Sequence, residues 1–241
     1  MTYLSGEVWI RGGRKDNQDS IVVQEIMTRK GKVLLAAVCD GMGGHAEGET
    51  ASGFVAEQIV AWLYAEILGM LQRNASHRQW KRSWYRCFYH INQKLNTYAE
   101  KKEIFMGTTM TMLFVSQEWY HLCHIGDSRA YKIRNTICQS GYIKQMTKDH
   151  IDKPHVLTRC IGTNRNAMPD YIRGRMRKNE GILLCSDGFY RCVHKKELAG
   201  ALMPKHLKTE KDIRKVLREV AGRVQERGET DNISAVYVLR K

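Results

Sequence analysis

Asp40, Asp187 and Asp231 are the residues whose surroundings speak most directly of chemistry. Each sits beside an apolar run, within a short polar or glycine-containing stretch. The stretches are Val38-Cys39-Asp40-Gly41-Met42-Gly43-Gly44, Leu184-Cys185-Ser186-Asp187-Gly188 and Thr230-Asp231-Asn232-Ile233-Ser234. Strand ends let a rigid scaffold aim several carboxylates at one point. Carboxylates brought together repel unless hard cations hold them, and all-oxygen sites favour Mg, Mn or Ca. The pattern points to a two-metal hydrolase.

The elements that must position these residues follow from apolar periodicity. Val33 to Val38, Met110 to Val115 and Ile182 to Cys185 read as fully buried strands, short apolar runs bounded by turn or polar residues. Alternation around Glu7, Val8, Trp9 and Ile10, and in Ala235 to Leu239, predicts strands at both ends of the chain. Val55, Ile59, Leu63, Ile67 and Leu71 recur every four residues and mark the face of one helix. Trp84, Phe88, Ile91, Leu95 and Tyr98 mark a second, and Ile213, Val216, Val220 and Val224 a third. Strands, two helices, more strands and a late helix argue for layers rather than a βαβ repeat. Only three prolines occur, and no Pro/Gly/Ser-rich linker, repeat or low-complexity segment interrupts the chain, so one domain over residues 1–241 is expected.

Composition narrows the class. Hydrophobic residues at 43% and charged residues at 27% are those of an ordinary globular protein. No apolar run approaches the roughly 18 residues that span a bilayer. The N-terminal stretch lacks the basic and long apolar regions of a signal peptide, so the expected location is the cytoplasm, away from membranes. Seven scattered cysteines without a Cys-x-x-Cys fit that location and argue against structural zinc. The net charge of +14 is less ordinary. Its basic clusters, Arg173 to Lys178 and Lys205 to Arg218, are interrupted by acidic or apolar residues and match no nucleic-acid module, so a solvated basic surface is favoured over nucleic acid.

Further motifs join the three aspartates. Arg14 precedes Asp16, Asn17, Gln18 and Asp19, a mixture suited to holding both phosphate and cations. Glycines from Gly41 to Gly44 let backbone approach a ligand, and no Gly-Lys-Ser/Thr follows to make a Walker loop. Gly126-Asp127-Ser128-Arg129-Ala130-Tyr131 adds a carboxylate after another apolar run; the alternative is that Arg129 simply pairs with Asp127. Together with Gly107-Thr108-Thr109, these six motifs in this order resemble the type 2C (PPM) metal-dependent serine/threonine phosphatases, over about Ser5 to Leu239.

The resemblance implies an α+β fold, an α-β-β-α sandwich of two central, mainly antiparallel sheets flanked by helices, with metals at one end of the sheets. It implies that Asp40 bridges two Mg or Mn ions, that Gly41 adds its carbonyl, and that Asp187 and Asp231 complete the first ion's ligands. Asp19 would act through metal-bound water, Asp127 with Asp187 would take a third, weaker ion, and Arg14 would bind phosphate. The implied reaction is in-line attack by a water whose pKa two cations have lowered, with no phosphoenzyme. Cys185 and Arg191 stand at Cys-x5-Arg spacing, yet Asp187 and Phe189 between them oppose a tyrosine-phosphatase phosphate cradle. The implied partners are phosphorylated proteins, opposing a serine/threonine kinase, and a monomer is expected.

Three departures from the family pattern stand out. Gln18 occupies a place where many members have Glu. Met42 replaces the His of animal members, leaving His45 as the nearest general acid, with capping or packing near the turn as its alternative. Only Ile151 to Val156 separate Asp149-His150 from Leu157, where bacterial members insert a helical flap; the shortened segment leaves no room for one. Two other functions compete: a catalytically weak binding module of the same fold, and a nucleic-acid-associated metal hydrolase.

Overall fold

The computed structural model describes residues 2–44, 47–135, 141–153 and 156–241. In chain order the strands and helices are β1 (Tyr3–Ile10), β2 (Asp19–Thr28), β3 (Gly31–Gly43), α1 (Glu47–Trp62), α2 (Leu68–Gln72), α3 (His77–Lys102), β4 (Met106–Thr108), β5 (Met110–Ser116), β6 (Trp119–Ile125) and β7 (Arg129–Arg134). They continue with β8 (Tyr142–Gln145), β9 (Ile151–Lys153), β10 (Val156–Leu157), β11 (Asp170–Arg175), β12 (Glu180–Cys185), α4 (Asp187–Tyr190), α5 (Lys195–Ala201), α6 (Glu210–Glu226) and β13 (Ile233–Arg240). A π-helical turn, Leu63–Ile67, joins α1 to α2.

Among the described residues the strands form two large antiparallel sheets, ordered β1-β13-β12-β7-β8 and β11-β6-β5-β3-β2. The unbroken apolar run of β3 follows from its burial on both faces. Leu34, Ala36 and Val38 point between the sheets, where they meet Leu113, Ile182, Leu184, Val236 and Val238. Leu35, Ala37 and Cys39 face the other way, onto Val55, Ile59, Trp84, Phe88 and Ile91 of the first helical layer. On the far side Leu183, Cys185, Tyr237 and Leu239 pack on Leu217, Val220 and Val224 of α6. The resulting order is helix, sheet, sheet, helix, as expected from the sequence.

Helix ends are set locally. Ser76 and Gln79 form a capping box at the start of α3, and Thr209 and Asp212 one at the start of α6. An exact four-residue repeat drifts around an α-helix of 3.6 residues per turn. The π-helical turn at Leu63–Ile67 underwinds the helix there, so Val55, Ile59, Leu63 and Ile67 all stay buried on one face. The four-residue spacing is the sequence mark of that turn.

Several expectations need correction. Tyr98 is 44% exposed, and the buried stripe of α3 runs through Leu95 to Ala99. On α6 the fully buried position is Leu217, while Val216 is half-buried at the margin. The helical stretch Glu47–Gln72 is long and apolar enough by composition to cross a bilayer, although Glu57, Gln58 and Glu66 interrupt its apolar run. Its apolar stripe lies against the β11-β6-β5-β3-β2 sheet, which β4 joins by pairing with β3. The shortened segment forms a small antiparallel pair, β9 with β10, whose described residues are largely exposed. Residues 154 and 155 within it lie outside the described residues.

Leu184 sits between the sheets, wholly buried, three residues before Asp187. Leu184→Ala should cost about 2–5 kcal/mol, the range for a buried leucine that leaves a cavity. Urea unfolding measures it; a loss well under 1 kcal/mol would mean the inter-sheet layer is loosely packed.

Candidate metal centre

The ends of β2, β3 and β12 and the turn before β13 meet at one end of the sandwich and carry the predicted carboxylates. Asp40 lies near the end of β3, in register with Asp19 at the start of β2. Two threonines fix its backbone. Thr109 N and Thr108 Oγ1 each donate to the Asp40 carbonyl at 2.9 Å, and Asp40 N donates to Thr109 Oγ1 at 3.0 Å. Thr109 Oγ1 is in turn 2.8 Å from Ser128 Oγ. The Gly-Thr-Thr and Gly-Asp-Ser motifs therefore brace the strand end that presents Asp40.

Gly41 is packed too tightly for any side chain: a Cβ there would lie 2.1 Å from the carbonyl oxygen of Gly48. Its N–H donates to Gln18 O at 3.1 Å. Asp187 opens α4, following Ser186, whose N–H bonds Ser234 O at 2.9 Å.

The loop carrying Arg14 is tied down by Asn232. Its Nδ2 donates to the carbonyls of Arg11 and Asp16 at 2.8 and 3.0 Å, and its Oδ1 accepts from Gln18 N at 2.9 Å. Gly12 (φ +67°) lets that loop press on the Asp231 carbonyl, which a Cβ would approach to 2.0 Å. Arg14 then grips Asp231 with two parallel bonds of 3.0 Å.

Asp40, Asp127 and Asp187 each offer an oxygen, and the three oxygens lie within 4.8 Å of one another. Asp231 stands beside this trio, and its charge acts on Asp19, Asp40 and Asp187. Burial raises the pKa of Asp19 to about 7, against the nearby Ser234 and Ser186 hydroxyls, and that of Asp127 to about 6, and neighbouring Asp187 adds to both. Asp40 is pushed well above the ordinary carboxylate range, first by burial and then by Asp19 and Asp187. Asp187 is raised by burial too, against the opposing charge of Arg191. Asp19 is 2% exposed, and its Oδ2 finds no hydrogen-bond donor among the described residues. Clustered oxygens, a strained charge balance and an unpartnered buried acceptor fit hard divalent cations with their water.

Arg129 does not pair with Asp127. It bonds Asp149 at 2.6–3.1 Å and lies 3.7 Å above the Tyr190 ring, while Tyr190 Oη donates to the Asp127 carbonyl at 3.1 Å. Arg191, considered in sequence only for its distance from Cys185, binds Asp187 and lies 3.6 Å from Asp231. Its i,i+4 spacing from Asp187 is the signal that could have placed it. Asn232 had no such signal, since its partners are more than 200 residues away. Burial pushes the Cys39 and Cys185 thiols far up, against any thiolate nucleophile. His45 lies outside the described residues.

The family model for protein phosphatase 2C matches residues 10–236. The chain belongs to the protein phosphatase 2C family. Among its relatives is the serine/threonine phosphatase Stp of Listeria monocytogenes, 26% identical over 220 residues, 82% of either protein. The structure of Stp1 from Staphylococcus aureus superposes with a TM-score of 0.82 at 24% identity, covering 100% of this chain and 96% of that one. The catalytic domain of the serine/threonine phosphatase PstP, solved with two manganese ions, gives 0.76 at 25% identity over 98% of each.

Carboxylates with raised pKa keep protons in the folded state that the unfolded chain has released. Between about pH 4 and 7 this makes metal-free stability fall as pH rises. In chelator, the parent should lose more thermal stability than Asp40→Asn on going from pH 5 to pH 7.5. Parallel pH profiles for the two would show that the cluster is not electrostatically strained.

Proposed function

We propose that the chain, as a single catalytic domain over residues 1–241, hydrolyses phosphoserine and phosphothreonine in proteins with the help of Mn or Mg. The observation that carries this is the meeting of Asp40, Asp127 and Asp187 oxygens within 4.8 Å beside the buried, unpartnered Asp19 oxygen. Asp40, the Gly41 carbonyl, Asp187 and Asp231 would hold two ions, and Asp127 with Asp187 a third. When bound, the cations supply an acidified water and neutralise charge on the phosphoryl oxygens.

The chain's own groups do the rest. Arg14 is exposed, on the loop that Asn232 holds; its Nε and Nη2 bond Asp231, which leaves the Nη1–Nη2 edge to offer two N–H groups to a phosphate. Asp19 would accept a hydrogen bond from that acidified water through Oδ2, and His45 is assigned the proton returned to the leaving serine or threonine oxygen. Water replaces the ester oxygen on phosphorus, releasing phosphate and the free hydroxyl. The relatives named as serine/threonine phosphatases support this substrate class. The reading includes a monomer working in the cytoplasm opposite a serine/threonine kinase. Intact carboxylates at all the predicted positions weigh against a catalytically weak binding module.

Hydrolysis of a phosphothreonine peptide should vanish in chelator and return with Mn, better than with Mg. The all-oxygen donor set offers zinc no preferred ligand. Full turnover after dialysis against excess chelator would remove the metal mechanism.

Arg14→Ala should raise KM on the order of tenfold or more, the worth of a charged hydrogen-bond pair, with a smaller change in kcat. Arg14→Lys should recover only part, since an ammonium cannot make two parallel bonds. Unchanged KM in both variants would mean that Arg14 does not bind the phosphate.

A further inference from the structure

The inner face of a β-sandwich is ordinarily apolar, and at one corner this one is not. Tyr131 and Ile133 of β7 pack on the helix side, which turns Ala130, Lys132 and Arg134 toward the opposite sheet. On β8, Lys144 stands directly opposite Lys132, and Tyr142 opposite Arg134. Like charges directly opposite on paired strands are destabilising. On β12 and β13 the same inner row ends with Glu180 opposite Arg240.

These residues open into a cleft of about 580 Å³ at the rim between the sheets, lined by seven cationic side chains and two carboxylates. Both carboxylates are engaged. Glu180 accepts from Lys132 Nζ at 3.3 Å and from Arg177 N at 2.9 Å, and Glu118 is 3.5 Å from Arg175. Among the described residues, Arg134, Lys144, Arg177 and Lys178 lie within ion-pair distance of no carboxylate. Nearby aromatic faces are already covered: Arg134 lies 4.1 Å over Tyr142, Lys132 5.0 Å over Tyr120, and Arg175 4.8 Å over Trp119. That arrangement leaves cations, not rings, to meet a ligand. The cleft is at the Glu180 end of β12, and the metal centre follows the Cys185 end, roughly 20 Å away along the strand.

We propose that this cleft binds a small ligand carrying a chain of two or more phosphoryl groups, either free polyphosphate or the polyphosphate tail of a nucleotide. A single phosphate would satisfy only part of the positive charge, whereas linked phosphoryl groups can reach both the β7–β8 wall and the Arg177–Lys178 turn. The site is independent of the proposed catalytic reaction.

Calorimetric titration of the full chain in chelator tests this, because the carboxylate cluster then repels the same anions. At roughly 0.15 M salt, where long-range attraction is screened, tripolyphosphate should bind one per chain and roughly tenfold tighter than orthophosphate. ATP should bind within a few-fold of tripolyphosphate. Lys144→Glu with Arg177→Glu should weaken tripolyphosphate by roughly tenfold or more, while hydrolysis of a small phosphate ester in Mn stays unchanged. Lys211→Glu with Arg218→Glu, exposed on α6, changes net charge equally and should alter binding by less than about twofold. Should the first pair fail to fold by circular dichroism, Lys144→Ala with Arg177→Ala gives the same test with a smaller effect. Equal weakening by both charge-reversal pairs, tripolyphosphate no tighter than orthophosphate, or ATP binding with no tripolyphosphate binding, which would mean that the base and not the phosphoryl chain is recognised, would each overturn the proposal.

Discussion

Mutual repulsion among buried and half-buried carboxylates is the constraint around which this fold is arranged. Burial pushes Asp19, Asp40, Asp127 and Asp187 toward their protonated forms, and a neighbouring carboxylate adds to each, Asp187 acting on the other three and Asp231 on Asp187. Left to themselves, side chains at the end of a sheet would splay into water. They do not, because the backbone beneath them is fixed by groups that carry no charge. Threonine hydroxyls and amides hold Asp40, and glycines at positions 12, 41 and 188 let neighbouring chain segments close to distances that any Cβ would block. The sandwich core supplies the rigidity, and the motif residues transmit it to the carboxylates.

Positive charge is distributed to match. Arg14 and Arg191 both engage Asp231, and Arg191 also binds Asp187, so Asp231 is shared between the cluster and its counter-charges. Arg129, two residues from Asp127 in sequence, is drawn away by Asp149 and the Tyr190 ring. A cation withdrawn from Asp127 leaves its oxygen available to the trio. The pairing of charges here follows sheet geometry, not nearness along the chain.

The two ends of the sandwich therefore differ in kind. One concentrates carboxylates that call for cations, and the other sets lysines and arginines on an inner face that the second sheet does not cover. The net charge of +14 is thus not spread evenly over a solvated surface. Part of it is gathered where strands β7 and β8 carry the wrong residues for a core, a local exception of the sort that function tends to explain.

Motif order and apolar periodicity were sufficient to give the layers, the strand that carries Asp40, and the set of acidic residues, because strand burial and glycine-rich turns are written locally. Even the π-helical turn left its mark, as a four-residue repeat in place of a 3.6-residue one. Partnerships were not legible. Nothing near Asn232 in the chain announces that it ties the Arg14 loop, since its hydrogen-bond partners lie more than 200 residues upstream. The same holds for Arg191 against Asp231, for Arg129 against Asp149, and for Lys132 facing Lys144. Sequence determined which residues could do chemistry and which elements would carry them. Tertiary structure alone decided which charges meet, because sheet register and the crossing of distant strands bring together groups whose separation in the chain is unrelated to their separation in space.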